Sequence, residues 1–254
     1  MLTIAYHTDI GLKKKTNQDA LLIKTANSSV GEVGLFVVCD GMGGLSHGEL
    51  ASASVIQSLA SWFDKELPTL LFSDCSKDTI INELQDHIQK LNGKIRSYGE
   101  QTNSKLGTTV TAFLILDEDY FIVQIGDSRA YQIHTEINLL TKDQTLVSKE
   151  IERGNLTPEQ GKKDPRRNVL LQCVGASLSL NIPITTGKVQ KDAIYMLCSD
   201  GFHHRITSQE FYKNLHPEQL HNKQQMQEKA QELVELAKQR KETDNITVLL
   251  LRVS

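Results

Sequence analysis

The sequence predicts an α+β fold, and three observations carry that prediction. Short runs rich in Val, Ile, Leu and Phe are scattered from one end of the chain to the other. Helix-period patterns fall between only some of them. The strand runs cluster apart from the helices instead of alternating with them, which argues against regular βαβ units. The chain has 254 residues, 39% of them hydrophobic and 23% charged. No Pro/Gly/Ser linker and no internal repeat divides it, so one domain over residues 1–254 is the simplest organisation, long enough to bury a core without disulfides.

Taken in order, residues 20–24 and 35–39 read as strands. Two helical patterns follow, one with Val55, Leu59, Trp62 and Phe63 on a face, the other with Ile81, Leu84, Ile88, Leu91 and Ile95. Runs 109–116 and 120–125 meet at Asp117-Glu118-Asp119, an acidic tight connection that predicts an antiparallel hairpin. Residues 142–168 are polar and aperiodic, long for a connection inside a compact domain, and form a candidate functional flap. Runs 169–174 and 194–198 read as further strands. Met226, Ala230, Leu233, Val234 and Ala237 mark a third helix before a last strand at 246–253.

Composition excludes several classes. With 28 Lys plus Arg against 31 Asp plus Glu and no long basic run, the chain is not built to neutralise a nucleic-acid backbone. The four cysteines form no Cys-x-x-Cys pair, which fits a reduced compartment. No apolar stretch approaches the ~18 residues of a membrane span, and residues 1–7 lack signal-peptide character, so a cytoplasmic location without membrane contact is expected. Gly154 to Lys163 has the wrong spacing for a nucleotide-binding loop, and Asp117-Glu-Asp119 lacks the ligands of an EF-hand.

The informative feature is where aspartates fall relative to the apolar runs. Leu35-Phe-Val-Val-Cys39 ends in Asp40-Gly41, Phe121-Ile-Val-Gln-Ile125 in Gly126-Asp127, and Met196-Leu-Cys198 in Ser199-Asp200-Gly201. Asp244 precedes the last run, and Asp19 precedes the run at 20–24. In an antiparallel sheet the end of one strand neighbours the start of the next, so these acids are expected on one rim. Carboxylates gathered in a partly dry site repel and take up protons unless cations neutralise them. Oxygen-only donors favour hard ions such as Mg²⁺ or Mn²⁺, and a pair of them suits phosphoester hydrolysis. A single Asp-Gly pair reads equally well as a turn; several at strand ends point to a metal site.

The ordered motifs Gly11-x5-Asn17-Gln-Asp-Ala20, Val38-Cys-Asp-Gly-Met-Gly-Gly44, Gly107-Thr-Thr-Val110, Gly126-Asp-Ser-Arg-Ala-Tyr131, Leu197-Cys-Ser-Asp-Gly201 and Asp244-Asn-Ile-Thr247 carry a resemblance. They resemble the metal-dependent (type 2C, PPM) protein serine/threonine phosphatases in their short bacterial form. That resemblance implies an αββα four-layer sandwich, two antiparallel sheets flanked by helices, with a dinuclear Mn²⁺/Mg²⁺ centre at one end. By match of motif, Asp40 bridges the two metals, Asp200 and Asp244 complete the first metal's ligands, and the Gly41 carbonyl and Asp19 serve the second. Asp127 matches the ligand of a third, weaker metal. Asp40, Asp200 and Asp244 are thereby the catalytic set around a metal-activated bridging water. Asn245 and Thr108 are expected to orient loops.

Several positions depart from the family pattern. Lys14 stands where an arginine usually grips the phosphate, keeping the charge without the bidentate fork. Leu45 and Gln144 replace frequent histidines, which removes any general-acid role there; His47 lies near, and reads equally as a structural or solvated residue. Gln172 stands where an arginine is common, without an assigned role. Lys162, Lys163, Arg166 and Arg167 lie in the flap as a solvated loop or as an attractor of phosphorylated or acidic segments. His203-His204 has no partner at metal-site spacing. The implied function is hydrolysis of phosphoserine and phosphothreonine in proteins, including a serine/threonine kinase or its substrates, by a monomer. The alternative is a weak or inactive phosphoprotein-binding pseudophosphatase, against which all five aspartates speak. A two-metal nuclease would need a basic or aromatic track that a chain with one Trp lacks.

Overall fold

The computed structural model describes residues 2–28, 31–42, 47–73 and 75–254. In chain order the elements are β1 (Leu2–Asp9), β2 (Ala20–Ser28), β3 (Gly31–Cys39), α1 (Gly48–Lys65), α2 (Leu67–Phe72) and α3 (Lys77–Thr102). Then come β4 (Val110–Leu116), β5 (Asp119–Ile125), β6 (Arg129–Ile133), β7 (Ile137–Leu139), α4 (Leu146–Glu152) and α5 (Pro158–Lys163). The chain continues with β8 (Ile184–Lys188), β9 (Ile194–Cys198), α6 (Asp200–His203), α7 (Ser208–Leu215), α8 (Lys223–Gln239) and β10 (Ile246–Val253). Two five-stranded sheets result, ordered β1-β10-β9-β6-β7 and β2-β3-β4-β5-β8, with every pairing antiparallel.

The strands read as continuous apolar runs because both of their faces are covered. Along β3, Leu35, Val37 and Cys39 face a core shared with α1 and α3, whereas Phe36 and Val38 face the other sheet. Along β9, Ile194, Met196 and Cys198 turn to a core with α7 and α8, while Tyr195 and Leu197 turn inward. The layer between the sheets is tied by an aromatic trio: Phe113 stacks on Tyr120 at 5.2 Å between centroids and meets Tyr195 at 5.0 Å. The architecture is the αββα sandwich, α1 and α3 over one sheet, α7 and α8 over the other.

The helices bury the residues the periodicity picked out. Val55, Leu59, Trp62 and Phe63 of α1, and Ile81, Leu84, Ile88, Leu91 and Ile95 of α3, join one core. α3 starts where the Ser76 hydroxyl accepts the Thr79 N–H (3.1 Å) and stops at Asn103 in left-handed geometry, φ 49°. The hairpin at Asp117–Asp119 forms, with Asp117 at φ 59°. All four cysteines are free, and no helix among the described residues is long and apolar enough to cross a membrane.

Two expectations need correction. Residues 169–174 form no strand; they make only the isolated bridges Thr145↔Leu170 and Thr108↔Val174, with Val169 and Leu171 about half exposed. The stretch 142–168 is not a bare loop but carries α4 and α5, each begun by a threonine cap, Thr145 and Thr157. Truncating Phe113 to Ala should cost about 3–5 kcal/mol, read as a lower urea midpoint at unchanged m-value; an unchanged midpoint would mean that the sheets do not depend on the aromatic layer.

Candidate active site

Register brings the five aspartates to one rim. Ala20 pairs with Cys39, so Asp19 before β2 and Asp40 after β3 leave their strands together. Val110 pairs with Ile125, which puts Asp127 at the end of β5 beside Thr109 at the start of β4. Cys198 pairs with Val248, so Asp200 beyond β9 meets Asp244 ahead of β10. Asp40, Asp127, Asp200 and Asp244 line one cavity of about 280 Å³ with Lys14, Met42, Thr109, Asn168 and Leu170. Asp19 lies behind it, and its charge acts on Asp40.

The loops carrying these acids are stitched by short polar groups. The Asp40 N–H donates to Thr109 Oγ1 (2.9 Å), the Asp40 carbonyl accepts from the Thr109 N–H (2.9 Å) and from Thr108 Oγ1 (3.0 Å), and Thr109 Oγ1 shares a hydrogen bond with Ser128 Oγ (2.8 Å). Gly41 follows Asp40, its N–H donating to the Gln18 carbonyl (3.2 Å). Asn245 holds the loop between β1 and β2 at three points: its Oδ1 accepts the Gln18 N–H (2.9 Å), and its Nδ2 donates to the carbonyls of Ile10 (2.9 Å) and Thr16 (3.2 Å). Thr108 and Asn245 thus bond the backbone of the loops that carry the aspartates. Gly126 sits at φ 101°, where a Cβ would lie 2.5 Å from Thr109 Cγ2; a Cβ on Gly201 would lie 2.1 Å from the Asn245 carbonyl oxygen. Any side chain at either position would push the aspartate loops apart.

The charges are out of balance. Burial, then repulsion from Asp19, Asp200, Asp127 and Asp244, pushes Asp40 well above the usual carboxylate range. Burial also raises Asp200 and, with the Asp200 charge, Asp127. Burial lifts Asp19 to about 7, although Ser199 Oγ donates to its Oδ2 at 2.8 Å. Lys14 Nζ lies 2.6 Å from Asp244 Oδ1; burial opposes its charge, but the bond to Asp244 and the fields of Asp40 and Asp200 outweigh burial and raise its pKa.

Two observations test whether divalent ions fit here. Asp19 Oδ1 and Asp200 Oδ1 are buried without any hydrogen-bond partner, a costly state for a carboxylate oxygen unless a cation meets it. The donor set is oxygen only, as Mg²⁺ and Mn²⁺ require, and such ions keep several waters and take few carboxylates each. Among the described residues no group of three or more His, Cys, Asp or Glu is drawn together as for one ion; Lys14 on Asp244 and Ser199 on Asp19 occupy oxygens that such ions would share. The orphaned oxygens and the chemistry of the donors outweigh that spacing, and the residues fit a divalent-cation centre.

The departures from the family pattern acquire places. Gln144 holds the turn before Asp127: its Oε1 accepts the Gly126 N–H (2.8 Å), and its Nε2 donates to the Gln124 carbonyl (3.1 Å). Gln172 Nε2 donates to Gln144 Oε1 (2.8 Å) and closes a pair of bonds with the backbone of Asn181. His47 is exposed beside Glu49, at 3.5 Å, and Leu45 lies outside the described residues. His203 is buried, its Nε2 at 3.2 Å from the Asp127 carbonyl, and burial pushes its pKa well down. His204 Nδ1 stands 3.8 Å from Asp200 Oδ2.

Sequence reasoning missed Glu242. Its Oε1 accepts the N–H groups of Thr243 (2.7 Å) and Asp244 (3.0 Å), and its Oε2 accepts from Arg205 Nε (3.1 Å). A lone acid in a polar turn gives no signal of this. Leu170 was missed as a cavity wall because its segment reads as a strand, and Asn168 because it closes the polar flap without a signal of its own.

Comparison with known proteins agrees with this fold. Residues 12–241 match the family model described as protein phosphatase 2C. The serine/threonine phosphatase stp of Listeria innocua is 31% identical over 221 residues, covering 85% of this chain and 83% of that one. Protein phosphatase PhpP of Streptococcus pneumoniae is 28% identical over 262 residues, covering 100% of this chain and 98% of its own. Among solved structures, serine/threonine phosphatase Stp1 from Staphylococcus aureus superposes with TM-score 0.87 at 26% identity, over 100% of this chain and 96% of that one. The catalytic domain of the serine/threonine phosphatase PstP in complex with two manganese ions does so with TM-score 0.79 at 28% identity, over the whole of both chains. With its sandwich fold, its rim of aspartates and a family match along nearly its whole length, this chain belongs to the protein phosphatase 2C family.

Proposed function

We propose that the chain, as one catalytic domain over residues 1–254, hydrolyses phosphoserine and phosphothreonine in proteins. The observation that carries this reading is the gathering of Asp40, Asp127, Asp200 and Asp244 around one cavity, with buried carboxylate oxygens lacking any partner. Asp40, Asp200, Asp244, Asp19 and the Gly41 carbonyl would hold two Mn²⁺ or Mg²⁺ ions, and Asp127 a third. Bound there, such ions supply charge neutralisation, polarisation of phosphate oxygens and a water of lowered pKa.

The chain's own residues do the rest. Thr108, Thr109 and the Asn245 ties hold the acids without consuming their oxygens. Lys14 offers an ammonium inside the cavity, able to pair with a phosphate oxygen as it now pairs with Asp244. Leu170 and Met42 wall the cavity with apolar surface and restrict water there. Gln144 is engaged with backbone groups and carries no dissociable proton, so it serves the Asp127 turn and not the leaving group. The partners implied are phosphorylated proteins, among them a serine/threonine kinase or its substrates, met by a monomer.

An aryl phosphate assay with Mn²⁺ should show turnover that a chelator abolishes and that Asp40→Asn nearly eliminates. Retained turnover in that variant would remove Asp40 from its bridging role, whereas phosphopeptide binding without turnover would mark a binding module. Lys14→Ala should raise KM by roughly tenfold, the value of one charge-assisted hydrogen bond; an unchanged KM would show that the ammonium does not meet the phosphate.

The Asp19 shift gives a pH prediction. Its carboxyl ionises near 3.8 in the unfolded chain and near 7 in the folded one. Between those values the unfolded state has released a proton that the folded state keeps, so in chelator-treated protein the contribution of Asp19 to stability should fall as pH rises from about 4 to about 7, adding to the losses from the raised Asp40, Asp127 and Asp200. Scanning calorimetry should find that Mn²⁺ raises Tm more at about pH 7.5 than at about pH 5. A Tm increment independent of pH would sink the idea that the ions relieve buried carboxylate charge.

A further inference from the structure

The cavity is acidic within, and exposed cations flank two of its lining residues in sequence. Lys14 and Asn168 both line it, and they come from different segments, the loop between β1 and β2 and the stretch after α5. Lys13 and Lys15 adjoin the first, and Arg167 adjoins the second; all three are exposed. Several carboxylates of the chain are already paired, Asp9 and Asp164 next to these segments among them. Arg166 holds Asp164 in two bonds (3.0 and 2.8 Å), Lys238 holds Asp9 (3.0 Å), and Arg129 holds Asp143 (2.8 and 2.7 Å). Lys13, Lys15 and Arg167 have no ion-pair partner among the described residues. In a chain of formal charge −3, three unpaired cations that flank cavity-lining residues in sequence add positive charge around an acidic pocket.

Unpaired surface cations need break no internal bond to meet a ligand, so they favour anionic groups at little cost. A peptide entering this cavity in extended form advances about 3.3 Å per residue. Groups one to three positions from the reacting residue therefore fall about 3 to 10 Å away, level with side chains whose backbone adjoins the cavity wall. Leu12 and Val169, both about half exposed on the same two segments, add apolar surface beside the charges.

We propose that this rim, Lys13 and Lys15 on one side and Arg167 on the other, selects phosphorylated segments that carry further anionic groups within a few residues of the phosphate being hydrolysed. The shared chemistry is negative charge, supplied by carboxylate side chains or by a second phosphate. This deepens the phosphatase reading and rests on it.

The test compares four phosphothreonine peptides, with glutamate, a second phosphate, alanine or lysine in the flanks, on the Mn²⁺-loaded full chain. Binding is followed by fluorescence anisotropy and hydrolysis by phosphate release, with an aryl phosphate as the substrate that lacks flanks. The glutamate and doubly phosphorylated peptides should exceed the lysine peptide by about fivefold or more in kcat/KM at low ionic strength, with the gap closing as salt rises. Lys13→Glu/Lys15→Glu and, separately, Arg167→Glu should shrink or reverse that order. A gain confined to one anionic peptide identifies carboxylate or phosphate as the group read. Equal values across the flanks, or a preference that persists in both charge-reversal variants, would overturn the proposal. If the aryl phosphate is not turned over, the phosphatase reading fails; anisotropy still decides the rim, because equal affinities for glutamate and lysine flanks refute it without catalysis.

Discussion

Mutual repulsion among buried carboxylates is the constraint on which the rest of the structure depends. Asp40 feels four other aspartates and is half-buried in the cavity wall, so its ionised form is disfavoured on two counts. A flexible chain would relieve this by letting the acids drift apart. Here they cannot, because each is fixed within two residues of a buried strand end, and the strands are locked between two sheets and two helix layers. Stability stored in the sandwich thereby holds an arrangement that is unfavourable by itself, as functional sites commonly require.

Keeping those oxygens available requires a particular division of labour. The residues that fix the loops are neutral: threonine and serine hydroxyls, Asn245, and the backbone. They bond main-chain groups of Asp40 and Gln18, as Gln144 bonds Gly126, and apart from Ser199 on Asp19 Oδ2 and the Asn245 N–H on Asp244 Oδ1 they leave carboxylate oxygens such as Asp19 Oδ1 and Asp200 Oδ1 without protein partners. Where a charged residue does participate, as Glu242 does with Arg205, it is turned away from the cavity and grips the backbone ahead of Asp244. Lys14 is the exception, a cation pointed at the acids themselves.

Much of the sandwich was legible because burial on both faces leaves long apolar runs, and the aspartates closing those runs were legible by position. The three long helices also announced themselves, since α1, α3 and α8 each bury a periodic stripe. What escaped notice had weaker signals. β1 is mostly half-buried and contains His7 and Thr8, β7 has three residues, and β8 contains Gly187 with two threonines; none forms an apolar run. Residues 169–174 misled for the converse reason: Leu170 walls the cavity while Val169 and Leu171 stand about half exposed, and the run joins no ladder. The roles of Gln144 and Gln172 were invisible because an amide's partners are set by tertiary placement.

The position of β10 has a consequence for how such a protein comes into being. It is the latest strand in the chain, yet it lies between β1 and β9, and Thr8 bonds Thr247 across 239 residues. Synthesis must therefore deliver almost the whole polypeptide before the first sheet can close, and a topology rich in such distant contacts folds slowly. Until that closing step the loops of Asp19, Asp200 and Asp244 have no common scaffold, so a nascent or truncated chain cannot assemble the centre and catalytic competence arrives only with the finished fold.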